Sequence, residues 1–277
     1  MNENASVEIF ADVAALTSAA GTLFVRLAQD AVARRGVFTV ALSGGSTPKG
    51  LYTLLATDKK LRTDIPWSET HFFFGDERHV PPDQAESNFR MVDEAMFQRL
   101  APGATHIHRI FGELADTAEA ASRYEADMRD FFETHGLVEA GFPRFDLILL
   151  GMGPDGHTAS LFPKSLALQE THRWMVANWV EKSKTHRITM TFPVLNNAAQ
   201  VIVLVAGNAK APIVAEILAG TAIAPKYPVQ SVKLRSGTKR WMLDKAAASP
   251  TRQGRGVNLI RHCHDPRNGS VNGVFGV

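Results

Sequence analysis

The sequence of 277 residues lacks most features that mark secreted, membrane-spanning or nucleic-acid-binding proteins. Its single cysteine, Cys263, cannot form a disulfide within the chain, which favours a reducing cytosol. Its apolar stretches are far shorter than the ~20 residues of a membrane span, and residues 1–4 lack the features of a secretory signal. A formal net charge of +2 indicates no nucleic-acid partner. We therefore expect a cytoplasmic protein that binds neither nucleic acid nor a membrane.

Apolar runs and helical patterns alternate along most of the chain. An amphipathic helix is predicted over residues 11–35, ending at Gly36, and a strand follows over residues 37–42. The alternation predicts a Rossmann-like α/β fold, with a parallel or mixed sheet and helices on both faces. Further strands are predicted over residues 67–74, 105–110, 145–150, 174–180, 187–192, 200–206, 229–232 and 240–244, and further helices up to residue 57 and over residues 88–96, 115–135 and 209–218.

The composition changes near residue 249. Residues 249–277 hold five glycines and four arginines and show no apolar pattern, so we expect a poorly ordered or atypical tail after a single catalytic domain at residues 1–248. His262, Cys263 and His264 are adjacent in this tail. Adjacent side chains cannot readily all face one ion, so no metal site is predicted there.

A glycine-rich loop follows the strand at residues 37–42. It has the sequence Ser43-Gly44-Gly45-Ser46-Thr47-Pro48. Glycines allow a ligand close to the backbone, and Ser46 or Thr47 would cap the next helix, with Pro48 in its first turn. Exposed N–H groups and hydroxyls at a helix start suit an anion such as phosphate. An ordinary connection between strand and helix is the alternative, and the spacing is not that of a nucleotide-binding P-loop.

Charged side chains follow the strand predicted at residues 67–74. The sequence there is Gly75-Asp76-Glu77-Arg78, and such groups are costly to bury unless they are paired or used. Asp76 and Arg78 are therefore candidate site residues. The alternative is a solvated turn.

The third loop follows the apolar run at residues 147–150, in the sequence Gly151-Met152-Gly153-Pro154-Asp155-Gly156-His157. The three glycines spell the dinucleotide-binding pattern G-x-G-x-x-G. Pro154 removes a backbone donor, Asp155 would repel a pyrophosphate and Pro163 shortens any following helix, so we reject that interpretation. His157 is suited to proton transfer near neutral pH. A tight turn with a surface histidine is the alternative.

A cationic segment contains Lys182, Lys184 and Arg187, which would lie on a solvated surface or neutralise a phosphate. The ends of parallel strands share one edge of a sheet, and ligands of open α/β sheets bind there. If the three loops described above meet at that edge, they form one pocket.

Together these stretches resemble the 6-phosphogluconolactonase family. The resemblance spans residues 5–248 and is most specific at residues 151–163. Glucosamine-6-phosphate deaminases are similar in fold, but they carry an Ile-Gly-Phe-Asn-Glu type of sequence after Asp-Gly-His, where this chain has residues 158–163, Thr-Ala-Ser-Leu-Phe-Pro. The matching stretches are residues 41–48, 75–80, 87–88, 151–163, 187–193, 195–196 and 241–244.

The resemblance implies hydrolysis of 6-phosphoglucono-δ-lactone to 6-phosphogluconate without a metal or an organic cofactor. It makes His157 the general base that deprotonates water. Arg78 would stabilise the oxyanion or clamp the substrate, Asp76 would hold the local geometry, and Asp155 would orient His157 or shape its turn. The residues implied at the phosphate are Ser43, Gly44, Gly45, Ser46, Arg187 and Lys184 or Lys182.

Two other functions stay open at this point. One is a sugar-phosphate isomerase or deaminase of the related type, and the other is a sugar-phosphate-binding protein without catalysis. Turnover of freshly prepared lactone separates the first function from both alternatives. The sequence predicts no oligomeric state.

Overall fold

The computed structural model describes residues 5–219 and 226–249, which form a central parallel sheet flanked by helices. The predicted tail lies outside the described residues from residue 250 onward, and so do His262, Cys263 and His264. The strands are β1 (Ala5–Phe10), β2 (Phe38–Leu42), β3 (Thr70–Phe74), β4 (Asp76–Arg78), β5 (His106–Ile107), β6 (Val138–Glu139), β7 (Phe142–Pro143), β8 (Leu147–Gly151), β9 (Met175–Val180), β10 (Thr185–Met190), β11 (Gln200–Val205) and β12 (Thr238–Asp244). The helices are α1 (Val13–Arg35), α2 (Ser46–Thr57), α3 (Lys59–Asp64), α4 (Asn88–Ala95), α5 (Thr117–Thr134), α6 (Phe192–Leu195) and α7 (Ala211–Ala219).

The strand order creates a crevice at the centre of the main sheet. Its strands lie in the order β1-β12-β11-β8-β2-β3-β5, and all neighbours pair in parallel. From β2 the chain runs outward to β3 and β5, then returns to β8 on the other side of β2. Ligands of open α/β sheets bind at the carboxyl ends of the strands where the order reverses. Here that point lies between β2 and β8, and the predicted fold class is confirmed.

A second, antiparallel sheet begins where β3 ends. Its order is β4-β10-β9, and the Met190 N–H donates to the Gly75 carbonyl at 2.8 Å, which joins it to the end of β3. The strands predicted at residues 174–180 and 187–192 are present here rather than in the main sheet. Residues 76–78 form a strand of their own, because cross-strand pairing with β10 satisfies their backbone.

The first helix shows how local sequence sets the fold. The Asp12 side chain caps α1 by accepting the Ala15 N–H at 2.8 Å, and Gly36 ends the helix with φ 74°. Phe24 of α1 is buried and packs edge-to-face on Phe38 of β2, with ring centroids 5.4 Å apart. Helix and strand therefore dock directly, as the apolar spacing predicts.

Two local predictions are wrong. Gly45, with φ 108°, is the N-terminal cap of α2, and neither Ser46 nor Thr47 makes a side-chain cap. Residues 229–232 are not a strand, because Pro228 begins a short 3-10 turn over Pro228–Ser231 and fixes its first φ angle. The prediction of Pro48 in the first turn of α2 is confirmed. The edge strand β1 and the small β6–β7 pair were not predicted.

Candidate active site

The loop after β8 is folded tightly enough to hold His157 in place. The Gly153 N–H donates to the His157 carbonyl at 2.9 Å, and the Gly156 N–H donates to the Gly153 carbonyl at 3.0 Å. Gly156 has φ 75°, a backbone conformation that L side chains rarely adopt. The Thr158 hydroxyl then donates to the Gly151 carbonyl at 2.9 Å. These bonds return the chain to the end of β8 and leave the histidine at the mouth of the crevice.

The imidazole of His157 is contacted along three of its sides. Its Nδ1 hydrogen-bonds the Asp155 carboxylate, its ring stacks on Phe162 with centroids 4.1 Å apart, and a Cβ at Gly153 would collide with it. Burial acts to raise the pKa of Asp155, but the hydrogen bond and charge of His157 outweigh it and hold that pKa below its ordinary value. Within residues 5–219 and 226–249 nothing hydrogen-bonds Nε2, so that nitrogen is available for chemistry.

The glycine-rich loop lies beside the loop of His157. A Cβ at Gly151 would meet the Gly44 carbonyl at 3.7 Å, and a Cβ at Gly44 would collide with the Asn88 side chain. The N–H groups of Gly44 and Gly45 donate no hydrogen bond within the described chain. The Ser43 hydroxyl is buried and has no hydrogen-bond partner among residues 5–219 and 226–249, although the Ser43 backbone bonds the Tyr52 hydroxyl in both directions at 2.9 Å.

Asp76 is fixed by a buried network that the sequence did not indicate. The Ser160 hydroxyl donates to Oδ2 of Asp76 at 2.6 Å, and the Ser160 N–H donates to the Thr189 hydroxyl at 3.1 Å. The Asn178 amide donates to the Ser160 carbonyl at 2.8 Å, and the Asn88 amide donates to the Asp76 carbonyl at 2.9 Å. The network ties β4, β9 and β10 to the chain three residues after His157.

Glu77 belongs to a helix cap rather than to the crevice. Its carboxylate accepts the N–H groups of Arg78, Asn88 and Phe89 at 2.7 to 2.8 Å, and it holds the start of α4. Burial raises the pKa of Glu77 although these bonds act against it. Among the charged residues after β3, Glu77 therefore supports the fold, whereas Asp76 and Arg78 remain the candidate site residues.

Arg78 and Arg187 lie directly opposite each other on β4 and β10. The Arg78 guanidinium donates to the Glu86 carbonyl and the Arg187 guanidinium to the His186 carbonyl, each at 3.2 Å. Neither forms an ion pair within the part of the chain that the structure describes. Burial, followed by the charge of Arg78, lowers the pKa of Arg187. The charges of Asp76, Glu77 and Glu86 act against this lowering, and an anion bound between the two guanidiniums would offset their repulsion further.

A cavity of about 180 Å³ opens beside this arginine pair. It lies at the start of α2, between the glycine-rich loop and the start of α4. Its polar lining combines an arginine, a lysine, a glutamate, hydroxyls and an amide, and the residues are Gly45, Ser46, Lys49, Arg78, Ala85, Glu86, Ser87, Asn88 and Met91. His157 is not among them. Two cations against one carboxylate suit the cavity to an anionic group.

The lysines predicted near the phosphate are placed differently. Lys184 lies in the β9–β10 hairpin turn, where its side chain is 70% exposed and ion-pairs with Glu181, and Lys182 is exposed in the same turn. Lys210, which the sequence analysis missed, follows β11 and donates to the Met152 carbonyl. Burial lowers the pKa of Lys210. Lys210 follows β11, which pairs with β8 on the side away from β2. A lysine shortly after a predicted strand is the sequence signal that would have identified it.

The structure thus brings most predicted site residues to one edge of the main sheet. His157, Asp155, Asp76, Arg78 and Arg187 join the loop of Ser43 to Ser46 there, while Lys184 is engaged elsewhere. No group of three or more His, Cys, Asp or Glu side chains suited to a metal ion occurs among the described residues. In the same residues, no helix is long and apolar enough to cross a membrane.

The fold and this site define an α/β protein with its ligand crevice at the point where the strand order reverses. A sequence model of the family described as Glucosamine-6-phosphate isomerases/6-phosphogluconolactonase matches residues 11–241. The 6-phosphogluconolactonase of Nostoc sp. is 38% identical over 244 residues, covering 88% of this chain and 97% of that protein. The 6-phosphogluconolactonase of Synechocystis sp. is 42% identical over 223 residues, covering 80% and 88%.

A solved structure agrees with these sequence relatives. The 6-phosphogluconolactonase from Trypanosoma cruzi aligns with a TM-score of 0.77 at 30% identity, covering 90% of this chain and 97% of that one. The chain therefore belongs to the glucosamine-6-phosphate isomerase/6-phosphogluconolactonase family, as its motifs predict.

Proposed function

We propose that this chain hydrolyses 6-phosphoglucono-δ-lactone to 6-phosphogluconate, a step of the oxidative pentose phosphate pathway. The 6-phosphogluconolactonases to which the chain is similar support the reaction. The observation that carries the mechanism is the geometry of His157, whose Nδ1 is held by Asp155 while Nε2 has no partner in the described chain. A histidine oriented by a carboxylate through one nitrogen is arranged to accept a proton at the other.

In the first step Nε2 of His157 takes a proton from water, and the water oxygen forms a bond to the lactone carbonyl carbon. Asp155 holds the proton on Nδ1 and stabilises the imidazolium that results. In the second step the bond from that carbon to the ring oxygen breaks. The leaving oxygen takes the proton back from Nε2, and the new carboxyl group loses its proton to solvent. The histidine is regenerated, and no redox partner is required.

The phosphate end of the substrate is assigned to the arginine pair. Arg78 lines the cavity with Gly45 and Ser46, and Arg187 lies opposite it, so Arg78 acts as a clamp rather than as the oxyanion donor. The oxyanion is then left to the backbone N–H group of Gly44, because Gly45 already lines the phosphate cavity. Lys210 adds positive charge from the end of β11. A contact between Lys184 and the phosphate stays a prediction, because Lys184 would first have to break its ion pair with Glu181.

Replacing His157 with asparagine tests the mechanism. We expect kcat to fall roughly 10²–10⁴-fold, the usual contribution of general base catalysis, with the melting temperature nearly unchanged because the residue lies in a loop. His172→Asn, an exposed histidine in another loop, is the matched control and should keep the wild-type rate. The assay follows acid release from freshly prepared lactone above spontaneous hydrolysis. Wild-type kcat in a folded His157→Asn protein would remove His157 from the mechanism.

The same assay tests the alternatives. Ammonia release from glucosamine 6-phosphate without lactone hydrolysis would favour the deaminase reaction, and binding without turnover would favour a non-catalytic protein. Phe162 supports the lactonase, because its ring covers the imidazole at a position where deaminases carry a different sequence. We also place the reaction in the cytoplasm, which the single cysteine supports.

A further inference from the structure

A short turn that plays no part in the proposed chemistry packs behind the loop of His157. The Val229 N–H donates to the Gly156 carbonyl at 3.1 Å, and a Cβ at Gly156 would lie 2.5 Å from Cβ of Tyr227. Tyr227 and Val229 are buried, and the Tyr227 hydroxyl donates to Glu216 of α7 at 2.7 Å. The turn therefore contacts the residue immediately before the proposed base, at a position with a positive φ.

Lys239 of β12 bonds this turn at two positions. Its ammonium donates to the Val229 carbonyl at 3.1 Å and to the Val232 carbonyl at 2.8 Å, and it lies over the Trp241 ring at 5.0 Å from the centroid. Charge-assisted bonds of this kind are stronger than bonds between neutral groups. One side chain thus fixes the carbonyl of the residue whose N–H reaches Gly156.

The position of Lys239 is costly, which indicates a specific use. Within residues 5–219 and 226–249 it has no carboxylate partner, and burial, followed by the charge of Lys233, lowers its pKa to about 8. The next residue of β12, Arg240, forms an ion pair with Glu8. Its strand partners, Ala5 and Val201, are uncharged. A lysine that only supported solubility would extend into solvent.

A second side chain holds the same turn independently. The Asn196 amide donates to the Ser231 carbonyl at 3.2 Å, and the Asn196 side-chain oxygen accepts the Lys233 N–H at 2.7 Å. Asn196 follows α6 and approaches the turn from a different part of the fold than β12 does. Lys239 and Asn196, from different parts of the fold, therefore both bond the turn that contacts Gly156.

We propose that Lys239 is a positioning residue for His157, acting through the turn at residues 227–232 and Gly156, with Asn196 as a second fastening of the same turn. Its effect on kcat rests on the proposed function. Lys239 touches neither the crevice nor the cavity, so it contributes to the orientation of the base and not to substrate binding.

The test compares Lys239→Met, which keeps the apolar stem, with Lys239→Arg, which keeps a cation. At a temperature well below melting we expect Lys239→Met to lower kcat roughly tenfold with KM within about twofold, since small misplacements of reacting groups cost up to about 10²-fold. Lys239→Arg should recover most of kcat. Asn196→Ala should likewise lower kcat and leave KM nearly unchanged, which keeps the proposal testable if Lys239→Met does not fold. Lys233→Met, a neighbouring lysine, is the control and should behave as wild type.

A binding-independent readout separates this proposal from the proposed reaction. The Cε1–H signal of His157 in a proton–carbon NMR spectrum should shift in Lys239→Met and in Asn196→Ala, and remain in place in Lys233→Met. If the wild-type protein does not hydrolyse the lactone, the proposed reaction is wrong. The NMR spectrum would still test whether Lys239 positions His157. Wild-type kcat and an unshifted His157 signal in the folded variants would overturn the proposal. So would equal losses in Lys239→Met and Lys239→Arg, because size and not charge would then matter.

Discussion

Removal of Arg187 tests where the substrate phosphate binds. The substrate carries close to two negative charges at neutral pH, and its lactone carbonyl lies several bonds from the phosphate. Arg187 faces Arg78 across β10 and β4, and neither guanidinium has a carboxylate partner in the described chain. The phosphate contact is present in ground state and transition state alike, so Arg187→Ala should raise KM more than it lowers kcat.

The size of the effect follows from the arrangement of the two arginines. A hydrogen bond to a charged group contributes roughly 1.5–3 kcal/mol, which corresponds to about a 10- to 150-fold increase in KM. The repulsion between Arg78 and Arg187 is present in the free enzyme and in the complex alike, so its relief in Arg187→Ala does not offset the lost contact. Because Arg78 remains at the cavity, we expect a change near the lower end of that range. Added salt should weaken wild-type binding through screening.

The assay measures kcat and KM with the phosphorylated lactone and with the lactone that lacks the phosphate, at one ionic strength. The unphosphorylated lactone should be a poor substrate for wild type, and Arg187→Ala should hardly change its hydrolysis. Arg26→Ala, on the exposed side of α1, is the control for a general loss of positive charge. Equal damage to both substrates would show that Arg187 serves the fold or the chemistry and that the phosphate is misplaced.

Three further predictions concern stability and the base. Asp155→Asn should lower kcat strongly with a small change in melting temperature, because the amide no longer favours the protonated Nδ1 of His157; an unchanged kcat would contradict that role. Burial, followed by the charges of three histidines, lowers the pKa of His71 to about 3, so the folded protein keeps it neutral while the unfolded chain protonates it below about pH 6.5. Stability should therefore fall as the pH drops from 6.5 toward 3, by about 1.5 kcal/mol at pH 4 after a discount for partial exposure, and urea unfolding of His71→Gln should show a flatter pH dependence. Ending the chain after Ala248 should leave kcat and the melting temperature nearly unchanged, because the family match ends at residue 241; a large loss of melting temperature would show that the tail supports the domain.

The sequence predicts the main sheet and the position of the crevice because both depend on local signals. Apolar runs that end in glycine and polar residues mark the ends of β2, β3 and β8, and these strands are neighbours in the sheet. Their loops therefore meet at the edge of the sheet where the sequence predicts a pocket. The helix start predicted at residue 88 is confirmed, and the Ser87 side chain caps α4 there by accepting the Arg90 N–H.

The remaining parts of the site depend on contacts that local patterns do not encode. Arg78 and Arg187 are 109 positions apart, and only the pairing of β4 with β10 places them face to face. Lys210 lies after a strand whose own loop carries no glycine-rich motif, and its ammonium bonds the Met152 carbonyl, which lies just after the end of β8. Residues 229–232 begin and end with valine, which favours a strand, but Pro228 and the bonds from Lys239 make them part of a turn instead.

The architecture separates binding from chemistry. The arginine pair stands on the small antiparallel sheet, while His157 stands on a loop of the main sheet that Gly156 and the turn behind it support. Ser160, just after His157 in the chain, ties the two parts together, since its hydroxyl bonds Asp76 on the strand of Arg78 at 2.6 Å and its N–H bonds Thr189 on the strand of Arg187 at 3.1 Å. A change on the small sheet should therefore appear mainly in KM and a change behind the loop mainly in kcat, whereas Ser160→Ala should disturb both. That contrast distinguishes a site assembled from two supports from one in which every residue acts alike.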